Sequence, residues 1–123
     1  MKGFALLAVA MAVVPAAAPA QAVEEGFPRG SLAVAAIDQG DWNRAEALLR
    51  TSALGDQDPA RLINLGTVYM RTGRTGEALA AWRQAMASNR HSEVETLGGR
   101  FRSTRDIARD ALARYETAAV QSR

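Results

Sequence analysis

Cysteine is missing from this chain of 123 residues, and histidine occurs once. Without thiols there is no disulfide framework, no thiolate nucleophile and no Cys-ligated zinc. The one histidine, His91, sits between Arg90 and Ser92 in a polar stretch. A metal site needs several ligands, and a general base needs a partner and a pocket. Neither is visible around it, so His91 reads as a solvated loop residue. Charge of one sign is lacking too. Lys and Arg total 15 against 13 acidic residues, a net of +2. The nearest approach to a basic cluster is Arg100, Arg102 and Arg105, and Glu93, Glu95 and Asp106 offset it. A nucleic-acid binder needs a dense basic face, which excludes that class.

Long apolar runs are equally scarce. The longest, Phe4 to Val14, follows Met1-Lys2 and precedes Pro15, Pro19 and Ala20-Gln21-Ala22. Its 11 residues are too few to span a bilayer, which takes about 20. A basic start, an apolar run and small residues two apart form the layout of a secretory signal peptide. The expectation is a leader over residues 1–22, cut after Ala22 or after Ala20. The mature chain would be exported, with the bacterial periplasm as its compartment, and would keep no membrane span. A short lead-in, 23–30, follows.

Helical punctuation dominates the rest. Ser31 to Gln39 is strongly apolar and stops at Gly40, in the place favoured for a left-handed cap. Asp41 can cap a second helix, about Trp42 to Ala53. Asp58-Pro59 opens a third that runs to Arg71, with Asp as N-cap and Pro pre-set for the first turn. Gly73 ends it, and a fourth is expected from about Thr75 to Ser88. Glu93–Leu97 and Arg100–Ser103 flank Gly98-Gly99, which fits a two-residue hairpin turn or an irregular loop. In the hairpin register Glu95 would face Arg102, and Thr96 would face Phe101. Ser103-Thr104-Arg105-Asp106 resembles a capping box for a last helix to about Val120, with Ile107, Ala108, Ala111, Leu112, Tyr115 and Ala119 on its apolar face.

The helices repeat. Gly40-Asp41-Trp42-Asn43-Arg44-Ala45-Glu46-Ala47-Leu48-Leu49 returns 33 residues later as Gly73-Arg74-Thr75-Gly76-Glu77-Ala78-Leu79-Ala80-Ala81-Trp82. Each copy is preceded by a helical stretch. A period of this size built from helix pairs marks a solenoid, a fold that offers a surface. The second copy carries Asn64-Leu65-Gly66, Tyr69, Gly73, Glu77-Ala78, Trp82 and Ala85-Met86. On these residues the segment from Phe27 to Asn89 resembles the tetratricopeptide repeat family. Small Gly66 and Ala78 let two helices approach, while Leu65, Tyr69 and Trp82 fill the space around them.

The resemblance implies a mainly α fold: two antiparallel helix pairs over 31–89, then a hairpin or loop and a capping helix over 90–123. Two repeats leave an apolar end, and about three are needed for stability, so the last helix has an end to cover. It also implies a non-catalytic adaptor for a protein or peptide. In this family ligands lie against the first helix of each pair. The groove would then be lined by Phe27, Val34, Ile37 and Asp38, and by Ile63, Asn64, Thr67, Met70 and Arg71. Asn64 and Arg71 resemble two members of a clamp for a peptide carboxylate. Two other readings stay open. The last helix could fold back into that groove, or it could form a homodimer or assembly contact through Ile107, Leu112 and Tyr115.

No catalytic set, cofactor motif or metal cluster emerges. Asp56 and Asp58 lack the Glu of a calcium loop, whose twelfth position is Thr67. Gly98-Gly99 lacks a following Lys-Ser, so it reads as a turn. Trp42 and Trp82 fall on helical apolar faces and read as core.

Overall fold

A computed structural model describes residues 27, 29–96 and 98–121, apart from the side chains of 118–120. The expected leader, most of the lead-in and the Ala119 side chain lie outside the described residues. Within them, the elements are α1 (Val34–Asp38), α2 (Trp42–Arg50), α3 (Pro59–Arg71), α4 (Thr75–Ala87), β1 (Glu93–Glu95), β2 (Phe101–Ser103) and α5 (Thr104–Gln121). The helices pack in chain order, α1 on α2, α2 on α3, α3 on α4, and α5 on both α3 and α4. The fold is mainly α, as expected, with packed helix pairs and a small antiparallel hairpin. None of the described helices is long and apolar enough to cross a membrane.

Local chemistry sets the boundaries. The carboxylate of Asp58 accepts the Arg61 backbone N–H at 2.9 Å, with Pro59 in the first turn. Asp41 caps α2 in the same way through the N–H of Arg44, at 3.1 Å. The repeat is visible in the backbone of the helix ends. Asp41 N–H donates to Ala36 O at 2.9 Å, and the equivalent Arg74 N–H donates to Tyr69 O at 2.8 Å. Gly40 and Gly73 sit at φ +70° and +79° within those two turns.

The first two helices are shorter than expected. α1 starts at Val34 because Ala33 takes a left-handed φ of 56°. That conformation breaks the helix while Leu32 and Ala33 are driven into the core, at 1% exposure each. α2 stops at Arg50, short of Ala53. Its terminal carbonyl at Leu49 is taken by the Arg61 guanidinium, Nε to O 2.7 Å, and the Thr51 hydroxyl donates to Ala47 O at 2.9 Å.

The hairpin exists, but its register differs by one. Glu93 pairs with Ser103, Val94 with Arg102 and Glu95 with Phe101. Thr96 N–H donates to Arg100 O, and Gly99 N–H returns to Thr96 O at 2.7 Å. Three positions therefore separate the closing pair, and Gly99 holds the left-handed one at φ +71°. Arg102 consequently lies across from Val94 and ion-pairs with Asp110 on α5. Ser103 does cap α5, its hydroxyl accepting the Arg105 N–H at 3.2 Å.

Three apolar clusters form the interior. One joins Ile37 of α1, Ala45 and Leu49 of α2, and Leu65 and Val68 of α3. A second gathers Leu62 and Ile63 of α3, Ala85 of α4, Val94 of β1, and Ile107 and Ala108 of α5. A third sets Ala78 and Trp82 of α4 against Leu112 of α5.

Candidate interaction surface

The surface expected to bind a partner begins with the inner face of α3. Ile63 is 4% exposed and shares its cluster with Val94, Ile107 and Ala108, with Phe27 packed against it. Asn64 is 2% exposed, and its amide Nδ2 donates to Leu32 O at 3.0 Å. Thr67 is buried and returns its hydroxyl to Ile63 O at 3.2 Å. These three therefore face this chain's own residues. Of the expected groove positions, Ile63, Asn64 and Thr67 are buried within the chain. The cause is the added C-terminal hairpin and helix on one side and the lead-in on the other.

The remaining expected positions scatter. Ile37 is buried in the first cluster. Met70 is half-buried against the third cluster, beside Tyr115. Val34 is half-buried against the first. Asp38 and Arg71 are exposed. The Arg71 guanidinium lies 5.8 Å from the Trp42 ring centroid. A cation over a ring in this way makes a modest attraction. Asn64 is thus bonded within the chain, while Arg71 lies over Trp42.

The self-association surface is also claimed internally. Ile107 and Leu112 are 6% and 5% exposed. The Tyr115 ring stacks on Trp82 with centroids 5.3 Å apart. The apolar face of α5 therefore covers the α3–α4 end of the stack, and the homodimer reading loses its proposed contact.

Two residues have roles that their sequence context concealed. His91 is half-buried, with Nδ1 3.0 Å from the Thr104 hydroxyl and Nε2 3.2 Å from Met86 O. A carbonyl can only accept, so Nε2 carries the hydrogen and Nδ1 takes that of Thr104. His91 is a latch between the end of α4 and the start of α5, which corrects its reading as a solvated residue. Arg61 is 7% exposed and joins α3 to the end of α2. A buried arginine in an apolar stripe gives no sequence signal of its own. Its offset of three from the Asp58 cap only marks the first turn.

The largest charged cluster binds the two copies together. Arg74 Nη1 reaches both Glu46 oxygens, at 2.9 and 3.0 Å, and its Nε and Nη2 hold Glu77. Arg50 Nε donates to Glu46 at 2.9 Å. The Arg74 guanidinium also lies 4.3 Å over the Tyr69 ring. The Arg74 hydrogen bonds hold the Glu46 carboxyl below its ordinary value, against a smaller opposing effect of burial. Arg74 is raised by the same pairs, with Glu77 the largest cause. Every charge in this group is matched, so it acts as a tie between α2 and the turn before α4. No group of three or more potential metal ligands occurs among the described residues.

Residues 60–92 match the family model of the tetratricopeptide repeat. That segment is similar to a tetratricopeptide repeat. It takes in α3, the Gly73 turn, α4 and the His91 latch. No curated protein and no solved structure matches the chain significantly. Tetratricopeptide repeats mediate protein–protein contacts and are non-enzymatic as a rule. Here the inner positions Ile63, Asn64 and Thr67 of the matched segment are buried within the chain.

Proposed function

We propose that this chain is a non-catalytic adaptor that binds another polypeptide on the outer surface of its short helical stack. We further propose that it works in the cell envelope, after removal of residues 1–22. The basic start, the apolar run and the Ala-x-Ala sequence support export. One observation carries the adaptor reading: a segment similar to a tetratricopeptide repeat is covered by α5, and its inner positions are committed to internal packing. A packed helical stack of this kind is suited to recognition. Affinity would come from a few desolvated side chains on the exposed ends and edges.

Site-specific photo-crosslinking in the native envelope tests this reading. Crosslinkers at exposed Asp38 and Arg71 and at half-buried Leu48 should trap one defined polypeptide. Absence of any polypeptide adduct, at every exposed position tried, removes the adaptor reading. N-terminal sequencing of the exported protein tests the leader, with Val23 or Gln21 expected as the first residue.

A further inference from the structure

The two ends of the stack differ. α5 covers the end formed by α3 and α4. At the other end, an open recess of about 430 Å³ lies across the start of the described chain, α1 and α2. Ala33, Val34 and Leu48 give it apolar walls, and Arg29, Gln39 and Arg44 also line it. Val34 and Leu48 are only half-buried, so apolar surface remains in contact with water there. Ala33 holds a left-handed φ of 56°, a conformation that costs energy for a residue with a Cβ.

The charges give the recess its preference. Arg50, Arg61, Arg74, Arg83, Arg102 and Arg109 each hold a carboxylate. Among the described residues, Arg29, Arg44, Arg90, Arg100, Arg105 and Arg114 hold no carboxylate, and of these only Arg29 and Arg44 line the recess. The nearby Asp41 carboxylate is engaged in capping α2 through the Arg44 backbone N–H. Two available cations beside apolar walls complement an apolar side chain with acids next to it. The volume lies within the range of pockets that take a side chain or small ligand, roughly 300–1,000 Å³.

We propose that this recess seats an apolar side chain flanked by carboxylates, presented by an acidic segment of a partner protein. The assignment rests on the adaptor reading and names its surface and the chemistry of its partner. Arg29 and Arg44 pair with the acids. Ala33, Val34 and Leu48 desolvate the apolar side chain between them. A phosphate backbone would satisfy the cations but leave the apolar walls in water, so a polypeptide fits better.

The test is fluorescence anisotropy with a labelled synthetic peptide that carries one leucine with glutamates on both sides. A peptide with lysines in place of the glutamates should bind at least tenfold more weakly. One with serine in place of leucine should bind several-fold more weakly. Arg29→Glu and Arg44→Glu should each weaken binding at least tenfold, and Arg44→Gln should do so by a smaller factor. Arg105→Glu makes the same charge change on α5 and should stay within twofold of the parent. Circular dichroism confirms that each variant keeps its helix content. Equal losses at Arg105 and Arg44, or equal competition by an oligothymidylate, would overturn the proposal.

A crosslinker at Leu48 separates this proposal from the broader one. Capture of a polypeptide from the exposed positions but never from Leu48 leaves the adaptor standing and ends the recess assignment. Adducts from Leu48 to residues 23–26, or to a second copy of this chain, also end it. An adduct from Leu48 to an acidic stretch of another protein, lost in Arg44→Glu, supports it.

Discussion

Gly66 and Trp82 share one space: a Cβ on Gly66 would lie 2.3 Å from the indole Nε1 and 2.5 Å from Cδ1. The indole has little freedom to yield. Its Nε1 donates to Ile63 O at 3.1 Å, and Tyr115 stacks on it. Gly66→Ala should therefore destabilise the fold by about 2 kcal/mol, even though alanine gains about 1 kcal/mol in helix propensity. Urea unfolding measures it. Trp82→Leu should cost at least about 1 kcal/mol less in the Gly66→Ala background than alone, since the pair is coupled. Additive losses would contradict the shared space.

Asn64→Ala removes the donor to Leu32 O and leaves a buried carbonyl unsatisfied. The expected loss is about 2 kcal/mol. Hydrogen exchange should show it as faster opening of α1, with α4 and α5 protected as before. A variant that keeps full stability would restore Asn64 as a residue available to ligands.

Acid should loosen the tie between the two copies. The Arg74 hydrogen bonds keep the Glu46 carboxyl below its ordinary value of 4.5. A carboxyl lowered in the native state stabilises fully above the unfolded value and loses that contribution as pH falls through the native one. Glu46→Gln should thus cost about 1 kcal/mol at pH 7, kept small because Arg74 and Arg50 are partly in water. The difference from the parent should start to shrink as pH falls below 4.5 and go towards zero only below the lowered native value. Denaturation curves at several pH values read both limbs. A penalty independent of pH would show that the ion pairs are not its source.

Tyr115→Ala should release α5 from Trp82. Loss of the stack and its burial should cost about 2–3 kcal/mol. Trp82 is 2% exposed, so its fluorescence should shift to the red as α5 lifts. His91→Ala should loosen the same helix at its other end, by leaving the buried Thr104 hydroxyl without its acceptor. An unchanged emission maximum in Tyr115→Ala would place the helix elsewhere in solution.

Much of this architecture was legible because its causes are local. Asp58-Pro59, Asp41 and Gly73 act within one turn of chain, and each sits where its chemistry predicts. The repeat offset of 33 residues recurs in the hydrogen bonds of Asp41 and Arg74. What could not be read depends on distant groups. Nothing local indicates that Ile63 meets Val94 and Ile107, so its inner face looked open. The α2 end was misjudged because the guanidinium that takes Leu49 O lies on another helix. The hairpin register turned on which glycine adopts the left-handed conformation. Gly98-Gly99 permits either choice, and a slip of one moves Arg102 from Glu95 to Val94. The candidate recess left only Val34 among the expected groove residues, because unpaired arginines are defined by what is missing around them in space.

Covering α3 and α4 with α5 has a consequence for growth. Arg105, Arg109, Arg114 and Glu116 are exposed on that helix and turn charge outward. A filament needs two different faces that fit each other, repeated without closure. Here one face is a charged helix and the other an apolar hollow edged with arginine. Copies meeting hollow to hollow would stop at two.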